Sequence, residues 1–278
     1  GMTNMLIKNF KQLSDELEKK YALKPYDLIV DIGSNDGTLL QPFKDKKMKV
    51  LGIEPTNTAK IANKNGITTI QEYFTKSVAD LAVKTYGKAK IIALTNAFAH
   101  IFNLYEIMEG IGTMLDKDGV FVSESQYLVD AIEKTAYDTI YHEHIRFYTL
   151  TALQELFKRT GFSLVDAERI SAAGGSIRVF AKKGKFKMSK RAEKIIANEK
   201  KIGACDIKTL KSFADKSIRA KHSLLNLLTG LKKEGKQIVT IGAPARGNSL
   251  LNFVKIDHSQ YDRNPEKSDN QEAHEGRS

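Results

Sequence analysis

The sequence predicts an α/β fold in which a largely parallel sheet carries helices on both faces. Two patterns predict it. Five short apolar runs alternate with helix-periodic stretches between residues 28 and 123, and the first run breaks into a glycine-rich turn just before the next helix. Ahead of them, Met5, Ile7, Phe10, Leu13 and Leu17 fall mostly at helical spacing, so residues 5–19 read as an amphipathic lead-in helix. Leu28 to Ile32 is the first strand, and it opens into Gly33-Ser34-Asn35-Asp36-Gly37 before a helix resumes over Leu39 to Phe43. Val50 to Ile53 is the second strand, ending at Glu54-Pro55, with Thr58 to Asn65 as the next helix. Thr68 to Ile70, Ile91 to Thr95 and Val120 to Ser123 complete the strands, separated by helices over Ser77 to Tyr86 and Leu104 to Leu115.

After this first region, taken as residues 1–126, the texture changes. Residues 127–184 hold a polar cluster, a helix over Leu150 to Arg159, and two strands, Ser163 to Ile170 and Ser176 to Ala181, joined at Gly174-Gly175 as a hairpin. Residues 185–260 form a basic helical region: Ile207, Leu210, Ala214, Ile218, Leu225, Leu228 and Leu231 recur at helical spacing behind Asp206 as N-cap. Gln237 to Ile241 then reads as a strand opening into Gly242-Ala243-Pro244-Ala245-Arg246-Gly247-Asn248, the start of a partial second α/β unit. Residues 261–278 carry almost nothing apolar and read as a disordered tail.

Composition narrows the function classes. With 278 residues and 41% apolar content the chain has enough material for sizeable cores. No apolar run approaches the roughly 18–20 residues of a membrane span, and the N-terminus has no signal-peptide pattern, so a cytoplasmic location is expected. Gly1 before Met2 reads as a tag-removal scar. One cysteine, Cys205, excludes an internal disulfide and a cysteine-rich zinc site, and no metal is expected. The net charge of +11 is concentrated: Lys182 to Lys236 holds 17 Lys and Arg against 5 Asp and Glu. Few aromatics are interleaved there, which favours a solvated helix face over a nucleic-acid surface.

The glycine turn after the first strand leaves backbone N–H groups free beside a ligand. It is neither the dinucleotide fingerprint nor a phosphate loop with Lys-Ser/Thr, which argues against pyrophosphate. An acid at the strand end, Asp31, suits an ammonium, and Glu54 at the end of the second strand suits ribose hydroxyls. Together they point to S-adenosylmethionine. The expected cofactor set is Asp31, Gly33, Ser34, Asn35, Gly37, Glu54, Pro55 and Asn96. His100, after the fourth strand, lies where ligands bind in doubly wound sheets. Tyr141-His142-Glu143-His144 gathers a phenol, two imidazoles and a carboxylate in four positions, a pattern shared by acid/base sites and solvated loops. Ser176 and Arg178 of the hairpin offer a hydroxyl and a cation to a substrate.

These residues resemble the S-adenosylmethionine-dependent sugar C-methyltransferases that act on nucleotide-linked 4-keto-deoxysugars. The resemblance rests on Asp31 to Leu40, Asn96 to His100, Asp138-Thr139-Ile140-Tyr141-His142-Glu143-His144, Gly174 to Arg178 and Gly242 to Asn248. It implies a Rossmann-like methyltransferase sheet with helices on both faces and a partial second α/β C-terminal region. It also implies C-methylation beside a ketone. His144 would be the base that removes the α-proton, Tyr141 and His100 would hold the enolate oxygen, and Glu143 would orient His144 or touch the sugar. Arg246 and Asn248 would face the nucleotide diphosphate. Three departures stand out: no N-terminal zinc-binding domain with paired cysteines, a C-terminal part that stops after residue 267 and runs into a polar tail, and Ala173 where members often carry histidine. The alternatives are a methyltransferase acting on oxygen or nitrogen of another small acceptor, and a truncated, catalytically silent cofactor-binding protein. Neither oligomeric state nor the identity of the sugar is legible.

Overall fold

The computed structural model describes residues 4–242 and 244–256. Ala243 of the second glycine turn and the polar tail lie outside them. The chain divides into two compact units, one formed by Gly1–Asp130 with Ile145–Ala204, the other by Ala131–His144 with Cys205–Ser278.

The first unit is built on seven strands: β1 (Leu28–Ile32), β2 (Lys49–Ile53), β3 (Thr69–Ile70), β4 (Ala89–Thr95), β5 (Leu115–Gln126), β6 (Phe162–Ile170) and β7 (Ser176–Lys183). Their order is β3-β2-β1-β4-β5-β7-β6. β1 to β5 are parallel, and β7 enters antiparallel between β5 and β6. The central strand β1 is buried throughout, as a parallel strand with both faces covered must be. The helices are α1 (Asn4–Tyr21), α2 (Gln41–Asp45), α3 (Thr58–Lys64), α4 (Lys76–Tyr86), α5 (Leu104–Met114), α6 (Leu128–Lys134), which runs across the unit boundary, α7 (Leu150–Arg159) and α8 (Lys190–Ile202). One apolar layer joins Phe10, Leu13 and Leu17 of α1 and Phe43 of α2 to Ile29, Ile91 and Val122 of the sheet. The opposite layer joins Ile107 and Ile111 of α5 and Phe157 of α7 to Val30, Ile92 and Phe121. Alternate residues of each central strand feed opposite layers, which is why both faces need helices.

The paired strands after residue 160 are a hairpin, but they complete the sheet rather than forming part of a separate segment over 127–184. Their connection is a short 3₁₀ turn over Ala172–Gly174. Gly175 adopts φ +131°, and a Cβ there would lie 2.5 Å from Asp130 Cγ, so the close approach as well as the backbone demands glycine. Helix α8 has no counterpart in the sequence reading: its apolar stripe is short, with Ala192 and Ile196 buried and Ile195 and Ile202 partly buried along a lysine-rich surface. Its Glu199, 3% exposed, accepts the Tyr127 hydroxyl and the N–H groups of Leu150 and Thr151, closing the N-terminus of α7.

In the second unit α9 (Ile207–Lys233) matches the predicted basic helix, and α10 (Ala245–Val254) follows Pro244. Asp206 sits at the N-cap of α9 without a side-chain capping bond. The strand expected over Gln237 to Ile241 does not form: only Val239 makes a bridge, and Ile241 is 90% exposed. A β-rich run becomes a strand only where a neighbour takes its hydrogen bonds, and the described residues supply none as a ladder. Among the described residues no helix is long and apolar enough to cross a membrane.

Candidate active site

In the first unit the glycine turn is held from both sides. Gly33 takes φ +75°, Asn35 φ +51° and Gly37 φ +84°, three left-handed positions in five residues, and the Gly33 N–H donates to the Ile53 carbonyl at 2.8 Å. Asp36 fixes the far end by accepting from the Thr38 N–H and hydroxyl. Gly52 of β2 makes room for the turn, since a Cβ there would stand 2.4 Å from Ser34 Oγ. Glu54, buried, accepts the Asn35 N–H through Oε2 at 3.0 Å and the Thr56 N–H through Oε1 at 2.9 Å. Those bonds aim the carboxylate and leave each oxygen a lone pair for a diol. Pro55 follows it, half-buried.

Asp31 is 2% exposed, and its Oδ1 has no hydrogen-bond partner among the described residues. Its register neighbours are Gly52 and Ala93, both small. Burial, then the charges of Glu54 and Glu124, push its carboxyl well above the ordinary value. An orphaned, buried acid next to a glycine turn fits a cationic ligand group, and the neighbouring Glu54 fits ribose. The residues therefore suit S-adenosylmethionine. Because Asp31 holds its proton more tightly folded than unfolded, the cofactor-free protein loses stability as pH rises from 3.8 through the raised folded value. Asp31→Asn should remove that component. Thermal melts of both forms across this range should show the variant gaining on the wild type as pH rises; parallel curves would contradict the assignment.

Asn96, exposed and at φ +56°, ends β4 with its N–H on the Glu124 carbonyl. His100, exposed, closes the following 3₁₀ turn. That loop is anchored by Arg146, which donates to the carbonyls of Ile101 and Phe102, and by the Tyr148 hydroxyl on the Phe98 carbonyl at 3.0 Å. Ser176 and Arg178 are placed differently from the substrate role read in sequence. Ser176 is fully buried, and its hydroxyl donates to the Ala172 carbonyl. Arg178, 4% exposed, donates to Glu124, Glu168, Glu16 and Asn9. Its fork is consumed inside the fold, so the hairpin presents no free guanidinium here.

The second unit holds the polar cluster. Tyr141 to His144 is a tight turn closed by the His144 N–H on the Tyr141 carbonyl at 3.0 Å. The turn brings the rings of Tyr141 and His144 to 4.1 Å and leaves His142 and Glu143 exposed at its tip. His144 Nδ1 lies 2.9 Å from the Thr139 carbonyl, and Nε2 lies 3.0 Å from the Tyr141 hydroxyl. A carbonyl only accepts, so Nδ1 carries a proton, and in its neutral form the ring presents Nε2 as its basic nitrogen, with the phenol donating to it. The orienting bond to Nδ1 thus comes from Thr139, not from the Glu143 carboxylate. Sequence offers no signal for it, because any residue has a carbonyl. Burial first, and Glu143 second, raise the Tyr141 phenol above its ordinary value, while Arg246 opposes them. The phenol stays a donor. Arg246 itself, expected on a diphosphate, pairs with Asp138 through Nε at 2.9 Å and Nη2 at 2.8 Å. Asn248, exposed, donates its N–H to the Pro244 carbonyl in the first turn of α10.

A largely parallel sheet with a glycine turn after β1 and an oriented acid after β2 is the arrangement of a Rossmann-like, nucleoside-binding α/β protein. Residues 5–167 match the family model described as a methyltransferase domain, and residues 171–274 match that of a C-methyltransferase C-terminal domain. The chain belongs to the methyltransferase-domain family, an S-adenosylmethionine-dependent class. The C-methyltransferase NovU of Streptomyces niveus is 32% identical over 258 residues, which cover 92% of this chain and 61% of that relative. Among solved structures, an S-adenosylmethionine-dependent methyltransferase from Clostridium acetobutylicum superposes with a TM-score of 0.52 at 12% identity, over 64% of this chain and 92% of the other. The magnesium protoporphyrin IX methyltransferase of Synechocystis, solved with bound SAH, gives 0.50 at 13% identity, over 66% and 89%. Both likenesses concern the fold.

Proposed function

We propose that the chain is a C-methyltransferase acting on the carbon α to the ketone of a nucleotide-linked 4-keto-deoxysugar. The observation that carries the reading is the preset imidazole: Nδ1–H on the Thr139 carbonyl and Nε2 beside the Tyr141 hydroxyl. The similarity to a C-methyltransferase supports it. A carbon acid next to a ketone is weak, so its removal needs a base near neutrality and a donor for the oxygen on which charge develops. His144 Nε2 takes the α-proton, the C–H electrons form the C=C bond of the enolate, and the carbonyl oxygen becomes the oxyanion. For Nε2 to take that proton its one lone pair must be free, so the Tyr141 phenol turns from Nε2 to the substrate's carbonyl oxygen as the sugar binds and donates to it while the charge develops. S-adenosylmethionine supplies the electrophilic methyl group: the new C–C bond forms as the C–S bond breaks, giving S-adenosylhomocysteine. The imidazolium then returns its proton to water.

Incubation with a nucleotide-linked 4-keto-deoxysugar and methyl-labelled donor tests the reading, with label expected on carbon. Tyr141→Phe should slow transfer by about a hundredfold, the usual cost of one oxyanion donor. Label on oxygen or nitrogen, with Tyr141→Phe close to wild type, would refute C-methylation.

A further inference from the structure

Within the second unit, α10 grips the segment just ahead of the Tyr141 to His144 turn at two points. At one, the guanidinium of Arg246, on the first turn of α10, holds the Asp138 carboxylate through two nitrogens. At the other, the Phe253 ring near the end of the same helix packs on Tyr137 at 4.9 Å, with Lys221 of α9 5.3 Å above the Phe253 ring. Tyr137, Asp138 and Thr139 are consecutive and form one 3₁₀ turn. Thr139 is the residue whose carbonyl holds Nδ1 of His144. From Arg246 the connection therefore runs through Asp138 and one peptide unit to the carbonyl that selects the tautomer of the base.

We infer that Arg246 is a positioning residue for His144, acting through Asp138 to hold the Thr139 carbonyl against Nδ1, rather than a ligand of the substrate's diphosphate. The inference rests on the proposed function for its kinetic consequence, but its structural consequence is independent of any substrate. Arg246 is 41% exposed, so removing it spares the fold while freeing the turn. Lysine is not an equivalent replacement, because a single ammonium cannot reproduce a two-nitrogen grip. Misplacing a catalytic group by about 1 Å can cost about a hundredfold in rate, and a base that touches only the reacting carbon can be lost to the chemistry without altering how substrate is held.

Nitrogen-15 NMR of histidine-labelled protein, with the His144 signal assigned by its loss in His144→Ala, reads the tautomer directly. Wild type should show Nδ1 protonated; Arg246→Ala and Asp138→Asn should each show a mixture of tautomers. In steady-state assays Arg246→Ala should lower kcat about tenfold or more with KM for the nucleotide sugar within about twofold, and Arg246→Lys should restore only part of it. The double variant with Asp138→Asn should be no slower than the worse single variant, since both break one connection. A tautomer unchanged in Arg246→Ala, a raised KM at constant kcat, or additive losses would each overturn the inference. If wild type methylates no nucleotide sugar, the proposed acceptor fails, while the tautomer measurement still decides the role of Arg246.

Discussion

His144→Ala is expected to abolish methyl transfer while S-adenosylmethionine binds with nearly wild-type affinity. A positioned general base contributes about 10²- to 10⁴-fold. Without one, water is left to deprotonate a carbon acid at neutral pH, so the loss should reach at least the upper part of that range. Cofactor binding should survive because the residues that fit the cofactor, Asp31, the glycine turn and Glu54, belong to the first unit, whereas His144 belongs to the second. Calorimetry with S-adenosylmethionine and a turnover assay on the same preparation separate the two effects. A variant that lost binding together with turnover would show that His144 supports the fold or the cofactor rather than the proton transfer.

Arg178→Met should be among the most destabilising single changes in the first unit. Arg178 sits against Glu124, which has no exposed surface, at 2.5 Å, and against Glu168 at 2.9 Å. Burial already raises the Glu124 carboxyl, and the charge of Arg178 is the largest influence drawing it back. Removing the cation leaves an uncompensated buried acid, which typically costs about 3–5 kcal/mol. Glu124 would then take up a proton, so the loss should shrink as pH falls: the folded variant binds that proton well above the unfolded carboxyl value. Urea unfolding of wild type and variant at neutral and mildly acidic pH measures both statements. Unchanged stability accompanied by a raised KM would restore the substrate-binding role that the hairpin suggested in sequence.

Much of the architecture was legible because its signals are local. The alternation from Leu28 to Ser123 placed the first four parallel strands to within two residues and the middle of the fifth, which is longer at both ends, and the glycine turn and Glu54 stand where the spacing put them. What failed depended on partners distant in the chain. Arg178 looked like an available cation because its acids, Glu16, Glu124 and Glu168, are brought to it only by packing of α1, β5 and β6. Gln237 to Ile241 had the composition of a strand, yet composition does not supply the neighbouring edge that a strand requires. At the polar cluster the side chains were legible and their geometry was not. The resemblance had Glu143 orient His144 or touch the sugar, whereas the turn pairs residues three apart and sets a backbone carbonyl against Nδ1.

Solvent deuterium exchange tests the central claim most directly, because enolisation precedes and does not require methyl transfer. The nucleotide-linked 4-keto-deoxysugar is incubated with enzyme in D₂O, with S-adenosylhomocysteine filling the cofactor site so that no methyl can move. The account predicts deuterium at the carbon α to the ketone with wild-type protein and none above background with His144→Ala. Exchange that persists at the wild-type rate in His144→Ala, or methyl transfer by a wild-type enzyme that never exchanges this proton, would contradict it.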